Sequence, residues 1–353
     1  MKFNAARAAL PVAGTLLALA GGVADAHHSS AGIYDRHAST TVQGTVEEVY
    51  WRNPHVQFTI RGASRNRPRA LWKVEGASVA MLSRHGISAG TLKVGDRVRV
   101  AGYPSVAGLP RMYVTNLLLP DGREILMDAG VKPRWSNRAV LWTDWVKFSD
   151  AAVEAAQSHA HGIFRVWTTS FDVPRQRLWK QSYPLTKTAA AARAKWNPKA
   201  SPYIYACTKG MPIIMEQPYP LEFTQRNDGD IVLRLEEFDT VRTIHMKQVA
   251  TGDRTATILG YSVGRWDGDT LVVTTTGITW PYFDQSGIPL HRTSVLVEQF
   301  APSKDGKRLN YTLTVTDPTV FTKPVVLHTF WSWKPGEKVE PFDCKPEGGP
   351  LRE

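Results

Sequence analysis

Cysteine is scarce in this chain, with only Cys207 and Cys344 in 353 residues. Neither lies in a Cys-x-x-Cys spacing or beside a histidine, so no thiol redox chemistry is indicated. An oxidising compartment would join the two, tying the start of the second domain to its end and contributing about 4–5 kcal/mol in the chain-entropy picture. Long apolar runs are also lacking. Beyond residue 26 none approaches the roughly 18 residues that span a bilayer, which predicts no transmembrane segment in the mature chain. The chain shows no internal repeat or low-complexity tract, and no nucleophile elbow, phosphate loop, dinucleotide fingerprint or zinc-protease helix. Acidic residues fall short of basic ones, 32 against 43, for a formal charge of +11.

What stands first in the chain is an export pattern. Lys2 and Arg7 flank and lead into an apolar stretch over residues 8–20, and Ala24-Asp25-Ala26 forms a small-x-small cleavage site. Cleavage near Ala26 predicts a periplasmic or secreted protein whose mature chain begins with His27 and His28. A free amine beside an imidazole is a ready chelating pair. With a third nitrogen from His28, His37 or His55 it makes the tetragonal nitrogen set that copper prefers, so copper is the candidate cofactor. A basic exported protein suits acidic envelope polymers or anionic lipid, whereas export argues against nucleic acid as a partner.

Periodicity divides the rest into an OB-like domain over 27–127, a connector over 128–161 and a larger β domain over 162–347. In the first, Val56, Phe58 and Ile60 alternate with His55, Gln57 and Thr59, Asn53-Pro54 breaks the run, and a short helix ends at Gly86 before two more strands. Three strands, a helix and two strands is the order of a five-stranded OB barrel. In the connector, a helix is expected over 150–159 with Ser149 or Asp150 as its cap, leaving His159 and His161 at its end. The last domain reads as almost entirely antiparallel, with hairpin turns at Asp228-Gly229 and Asp267-Gly268 and clean alternation in LNYTLTVTD. Eight or so such strands predict a lipocalin-like barrel able to hold one small hydrophobic ligand, or alternatively a β-sandwich.

Three functional readings follow. The first is metal binding at His27, His28 and His55. The second is a ligand-holding or catalytic barrel, with His245, Arg242, Glu237, His291 and Glu298 as candidate acid–base or binding groups, since a buried carboxylate beside a cation shifts its proton affinity. Here His245 shares a strand face with Val241 and Thr243 and is expected to point inward. The third is an envelope interaction module, in which Arg61, Arg65, Arg67 and Arg69 near Trp72 meet an acidic polymer.

The strings HHSSAGIYD, GTVEEVYWRNPH and LKVGDRVRVAG resemble a family of uncharacterised bacterial secreted proteins whose first domain is OB-like, over roughly residues 27–127. PYPLEFTQ, RLEEFDTVRTIHM, GYSVGRWDGDTLVVTTTGITWPYFDQSGIP and TVTDPTVFTKP are similar to a C-terminal domain of secreted proteins from environmental bacteria. The resemblance implies fold and export, and supplies no activity. Where that family commonly has a short Asp-Gly turn after the strand matching RTIHM, this chain has residues 247–256.

Overall fold

The computed structural model describes residues 33–128, 130–140, 147–169, 178–180, 182–197, 207–216, 218–247 and 256–344. The predicted export segment, His27 and His28 lie outside the described residues, as does nearly all of 247–256.

The first barrel is built from β1 (Thr40–Tyr50), β2 (Gln57–Ser64), β3 (Arg67–Glu75), helix α1 (Val79–Arg84), β4 (Arg97–Pro104) and β5 (Arg111–Leu118). The sheet order is β3-β2-β1-β4-β5, and a parallel pairing of β3 with β5 closes the ring. Two short strands, β6 (Glu124–Leu126) and β7 (Ala139–Val140), extend its edge. Alternation drives the closure: Val42, Val46, Phe58, Ile60, Val74, Val98 and Val100 all point inward at 2% exposure or less. Each such side chain contributes about 1.5–3 kcal/mol on leaving water. The ring is tight enough that a Cβ on Gly102 would lie 2.0 Å from the Tyr113 carbonyl oxygen, so only glycine fits this strand crossing.

The second barrel contains β8 (Val166–Trp167), β9 (Leu221–Gln225), β10 (Ile231–Leu235), β11 (Thr240–His245), β12 (Tyr261–Asp267), β13 (Thr270–Thr276), β14 (Val295–Pro302), β15 (Arg308–Thr316) and β16 (Val325–Ser332). These nine strands pair in sequence order in one nearly closed sheet, so the barrel is formed and the sandwich is not. One pair departs from the antiparallel expectation: β11 and β12 run parallel, Ile244 opposite Ser262 and His245 opposite Val263. A parallel neighbour needs a crossover rather than a hairpin between His245 and Tyr261. The two edges, β8 and β16, meet through a single bridge in which Thr168 N and Ser332 N donate to each other's carbonyls at 2.9 and 2.8 Å.

Helix α1 joins the barrels. Its cap, Ser78 Oγ, accepts from Met81 N at 3.2 Å, and its Ala80 and Met81 pack on Tyr219 and Phe342 of the second barrel's periphery. From the end of α1, the buried Arg84 donates to Glu236 Oε2 at 2.7 Å and to Glu337 Oε1 at 3.1 Å. The C-terminal stretch returns to the first barrel, where Asn53 Nδ2 donates to Phe342 O at 2.5 Å, and Cys344 bonds to Cys207 across 137 positions.

Candidate functional site

The connector helix α2 (Asp150–His159) leads into the seam of the second barrel. Ser149 caps it, its Oγ accepting from Ala152 N at 3.2 Å. At its other end the His159 Nδ1 lies 2.8 Å from Ala155 O. The chain then reverses at Gly162, whose φ of +50° suits glycine, and Phe164 N donates to His161 O at 2.9 Å. This tight return places Phe164 and Arg165 at the start of β8, where a strand edge faces Trp333 beyond the end of β16. Between α2, β8, β9 and residues 333–337 opens a cleft of about 420 Å³, lined among others by His159, His161, Phe164, Arg165, Trp333 and Glu337.

Arg165 is the exceptional charge in this cleft. Its guanidinium lies over the Trp333 ring at 4.3 Å and over Trp167 at 5.3 Å, a cation–π arrangement. Nη1 donates to Gly306 O at 3.3 Å, and the buried Nε donates to nothing. Among the described residues no carboxylate pairs with it, and burial pushes its pKa down from the ordinary arginine value. The two lining carboxylates are engaged elsewhere: Glu222 with Arg234 at 3.5 Å and Glu337 with Arg84 at 3.1 Å. Glu337 Oε2 is nevertheless buried without a hydrogen-bond partner. The cleft thus offers the Arg165 guanidinium, without a carboxylate partner among the described residues, together with aromatic walls and an acceptor oxygen of Glu337.

The five residues singled out in the second domain fall into four places. Arg242 on β11 and Glu298 on β14 come together at the centre of the barrel, 2% and 0% exposed. Arg242 Nη1 donates to Glu298 Oε1 at 3.0 Å, its Nη2 to Glu298 Oε2 and to Thr275 Oγ1, and its Nε to Ser262 Oγ at 2.9 Å. Tyr311 Oη adds a bond to Glu298 Oε1 at 2.9 Å, and burial holds the Tyr311 hydroxyl well above its ordinary pKa. Burial opposes the Arg242 charge, but the Glu298 carboxylate outweighs it and raises its pKa. Every nitrogen of that guanidinium donates a hydrogen bond, so the pair is a cross-brace over five strands rather than an open acid or base.

His245 faces outward, contrary to the expected inward direction: Val241 on its face is 55% exposed while Arg242 and Ile244 are buried. It stacks on Tyr261 at 4.7 Å, with Nδ1 2.8 Å from Asp230 Oδ2. His291 caps a separate cluster, its Nδ1 3.1 Å from Asp317 Oδ2 and 2.7 Å from Thr319 Oγ1. Glu237 accepts from Lys209 Nζ at 2.5 Å, near the domain junction.

On the first barrel, His55 Nδ1 lies 2.8 Å from Gly76 O. A carbonyl only accepts, so in the neutral ring Nδ1 carries the proton and Nε2 keeps its lone pair. Next to it, Tyr34 Oη donates to Glu75 Oε2 at 2.8 Å, which anchors the incoming N-terminal arm beside His55. Among the described residues no group of three or more His, Cys, Asp and Glu is placed to hold a metal. Nor is any described helix long and apolar enough to cross a membrane.

Geometry therefore defines a two-barrel protein, an OB-type ring joined through α1 and a disulfide-tethered tail to a nine-stranded barrel with a cleft at its seam. A model of a family of unknown function, DUF6152, matches residues 15–111, the part that carries most of the first barrel and the predicted start of the mature chain. No curated protein and no solved structure matches the chain.

Proposed function

We propose that the protein is an exported binding protein for a small organic anion with an aromatic body, held in the cleft at the seam of the second barrel. The observation that carries this reading is Arg165, a half-buried guanidinium with no carboxylate partner among the described residues, laid on Trp333 at the wall of a ligand-sized cavity. An uncompensated cation in partly desolvated surroundings favours an incoming carboxylate, which it can bind through parallel N–H donors. The aromatic walls supply apolar contact, and Glu337 Oε2 accepts from a ligand hydroxyl. The export pattern and the disulfide support an extracytoplasmic setting. In this reading the ligand lies beside the barrel rather than in its lumen, where Arg242 and Glu298 already satisfy each other.

4-Hydroxybenzoate combines carboxylate, ring and hydroxyl and serves as the probe, followed by tryptophan fluorescence and calorimetry. Binding that weakens at least tenfold in Arg165→Gln, with benzyl alcohol failing to bind, is the expected result. Equal binding to the variant, or no binding of any aromatic carboxylate in a panel, would overturn the reading.

A second reading, copper at the mature N-terminus, is favoured by one observation: the His55 Nε2 lone pair beside the anchored Tyr34. From Tyr34 back to His27 the chain can reach roughly 23–25 Å, enough for the terminal amine to approach that nitrogen. Cu(II) titration of the processed chain should show tight binding that disappears when one alanine precedes His27 and weakens in His55→Ala. Binding indifferent to both changes removes this reading.

A further inference from the structure

The first barrel carries a groove of its own, remote in sequence from the seam cleft and of a different chemistry. Its volume is about 760 Å³, and it runs beside the first half of β1 between the β2–β3 hairpin and β4. Hydroxyl and amide side chains of Ser39, Thr41, Gln43 and Asn66 line it together with Arg65 and Arg99. Among the described residues no carboxylate lines it, and the only apolar one that does is Ala63.

Neighbouring arginines show what is unusual about these two. Arg61 on the same hairpin is neutralised by Glu47, with Nη2 donating to Oε2 at 2.9 Å, and Arg67 donates to Gly108 O at 2.6 Å. Among the described residues, Arg65 and Arg99 face no carboxylate. Arg99 is also held in place: it lies 5.0 Å over the Trp135 ring, and Trp135 N donates to the fully buried Glu124 at 2.9 Å. At the groove's end Arg134 Nη2 donates to Ser39 Oγ at 3.1 Å, adding positive charge. Two uncompensated guanidiniums therefore stand over a floor of neutral hydrogen-bonding groups.

We infer that this groove binds an acidic polysaccharide whose sugar units carry carboxylates. The guanidiniums match carboxylates in a planar two-point geometry, and the hydroxyl and amide floor matches sugar hydroxyls. A membrane surface fits less well, because headgroup binding is reinforced by apolar side chains entering the acyl boundary, and this groove presents none beyond Ala63. The groove lies apart from Arg165, so neither site's ligand decides the other's.

The test uses the whole chain, polygalacturonate oligosaccharides as the probe, and neutral galactan oligosaccharides and phosphatidylglycerol vesicles as comparison surfaces. Polygalacturonate should bind and galactan should not. Arg65→Gln with Arg99→Gln should weaken binding at least tenfold. Arg226→Gln with Arg234→Gln, the same charge change on the second barrel, should weaken it less than twofold. Gln43→Ala should weaken it about threefold at constant charge and constant salt, which general attraction to a basic protein would not do. Thermal unfolding checks that each variant folds; both groove arginines are exposed and, among the described residues, neither pairs with a carboxylate, so the barrel is expected to survive their loss. Equal loss in the two double variants, no binding of polygalacturonate, or tighter binding to the vesicles through Arg65 and Arg99 would each overturn the inference.

Discussion

The two barrels bury a carboxylate in opposite ways. In the first, Glu124 is fully buried at the edge of the core, and among the described residues no cation pairs with it. Its oxygens accept from Arg134 N at 2.8 Å, from Trp135 N and Ser136 N at 2.9 Å each, and from Asn116 Nδ2 at 2.7 Å. Burial works against this charge, but the backbone donors outweigh it and hold Glu124 below the usual carboxylate range. In the second, Glu298 lies at the centre of a wider ring and is met by the guanidinium of Arg242. A five-stranded ring leaves room only for apolar side chains at its centre, so its acid is pushed to the rim, where a loop can fold amides around it. A nine-stranded ring has a middle that a long arginine can cross. The same electrostatic problem is thus solved by local backbone in one barrel and by a long-range ion pair in the other.

That contrast breaks most sharply at Glu298. Glu298→Leu strands a buried guanidinium and should cost about 3–5 kcal/mol, whereas adding Arg242→Met should recover most of the loss because the remaining hole is apolar. Urea denaturation of both variants measures this, and a double variant as weak as the single would mean that the network does more than pair charges. Glu124→Gln should cost less, about 1–3 kcal/mol, since the amide keeps shape and one acceptor oxygen while some backbone donors lose their partner. The smallest effect is in pH dependence. The folded pKa of Glu124 lies below its unfolded value, so its stabilisation is fully present above about pH 4.5 and is lost as pH falls through the folded pKa. Acid titration of stability should therefore fall less steeply below pH 4.5 in Glu124→Gln than in the parent chain.

Local chemistry made much of the fold legible. Ser149 as the cap of α2, Gly86 after α1 and the Asp228-Gly229 turn act within a few residues, and the alternation of Phe58 and Ile60 reports one wet face and one dry one. His245 shows where pattern fails. Its strand has Arg242 and Ile244 on the buried side, and an arginine turns inward only because Glu298, 56 positions away, waits there. Arg165 escaped notice for a related reason: a lone arginine in FRVW looks like an ordinary exposed position until Trp333 arrives from the far edge of the sheet. Arg84 gave no sign of its role either, since its partners Glu236 and Glu337 lie 152 and 253 positions on. The proposed terminal chelate at His27 and His28 lies outside the described residues and rests on the sequence.

By itself the sequence determined the two β domains, the OB order of the first, the paired cysteines and the turn and cap positions, because hydrophobic period, glycine and capping chemistry act over a few neighbours. Tertiary structure alone decided which charges are compensated. Arg242, Arg84, Arg61, Arg65, Arg99 and Arg165 are the same residue type in similar settings along the chain. Only the folded arrangement gives the first three a carboxylate and leaves the others facing a groove or a cleft, because charge pairing depends on distance in space.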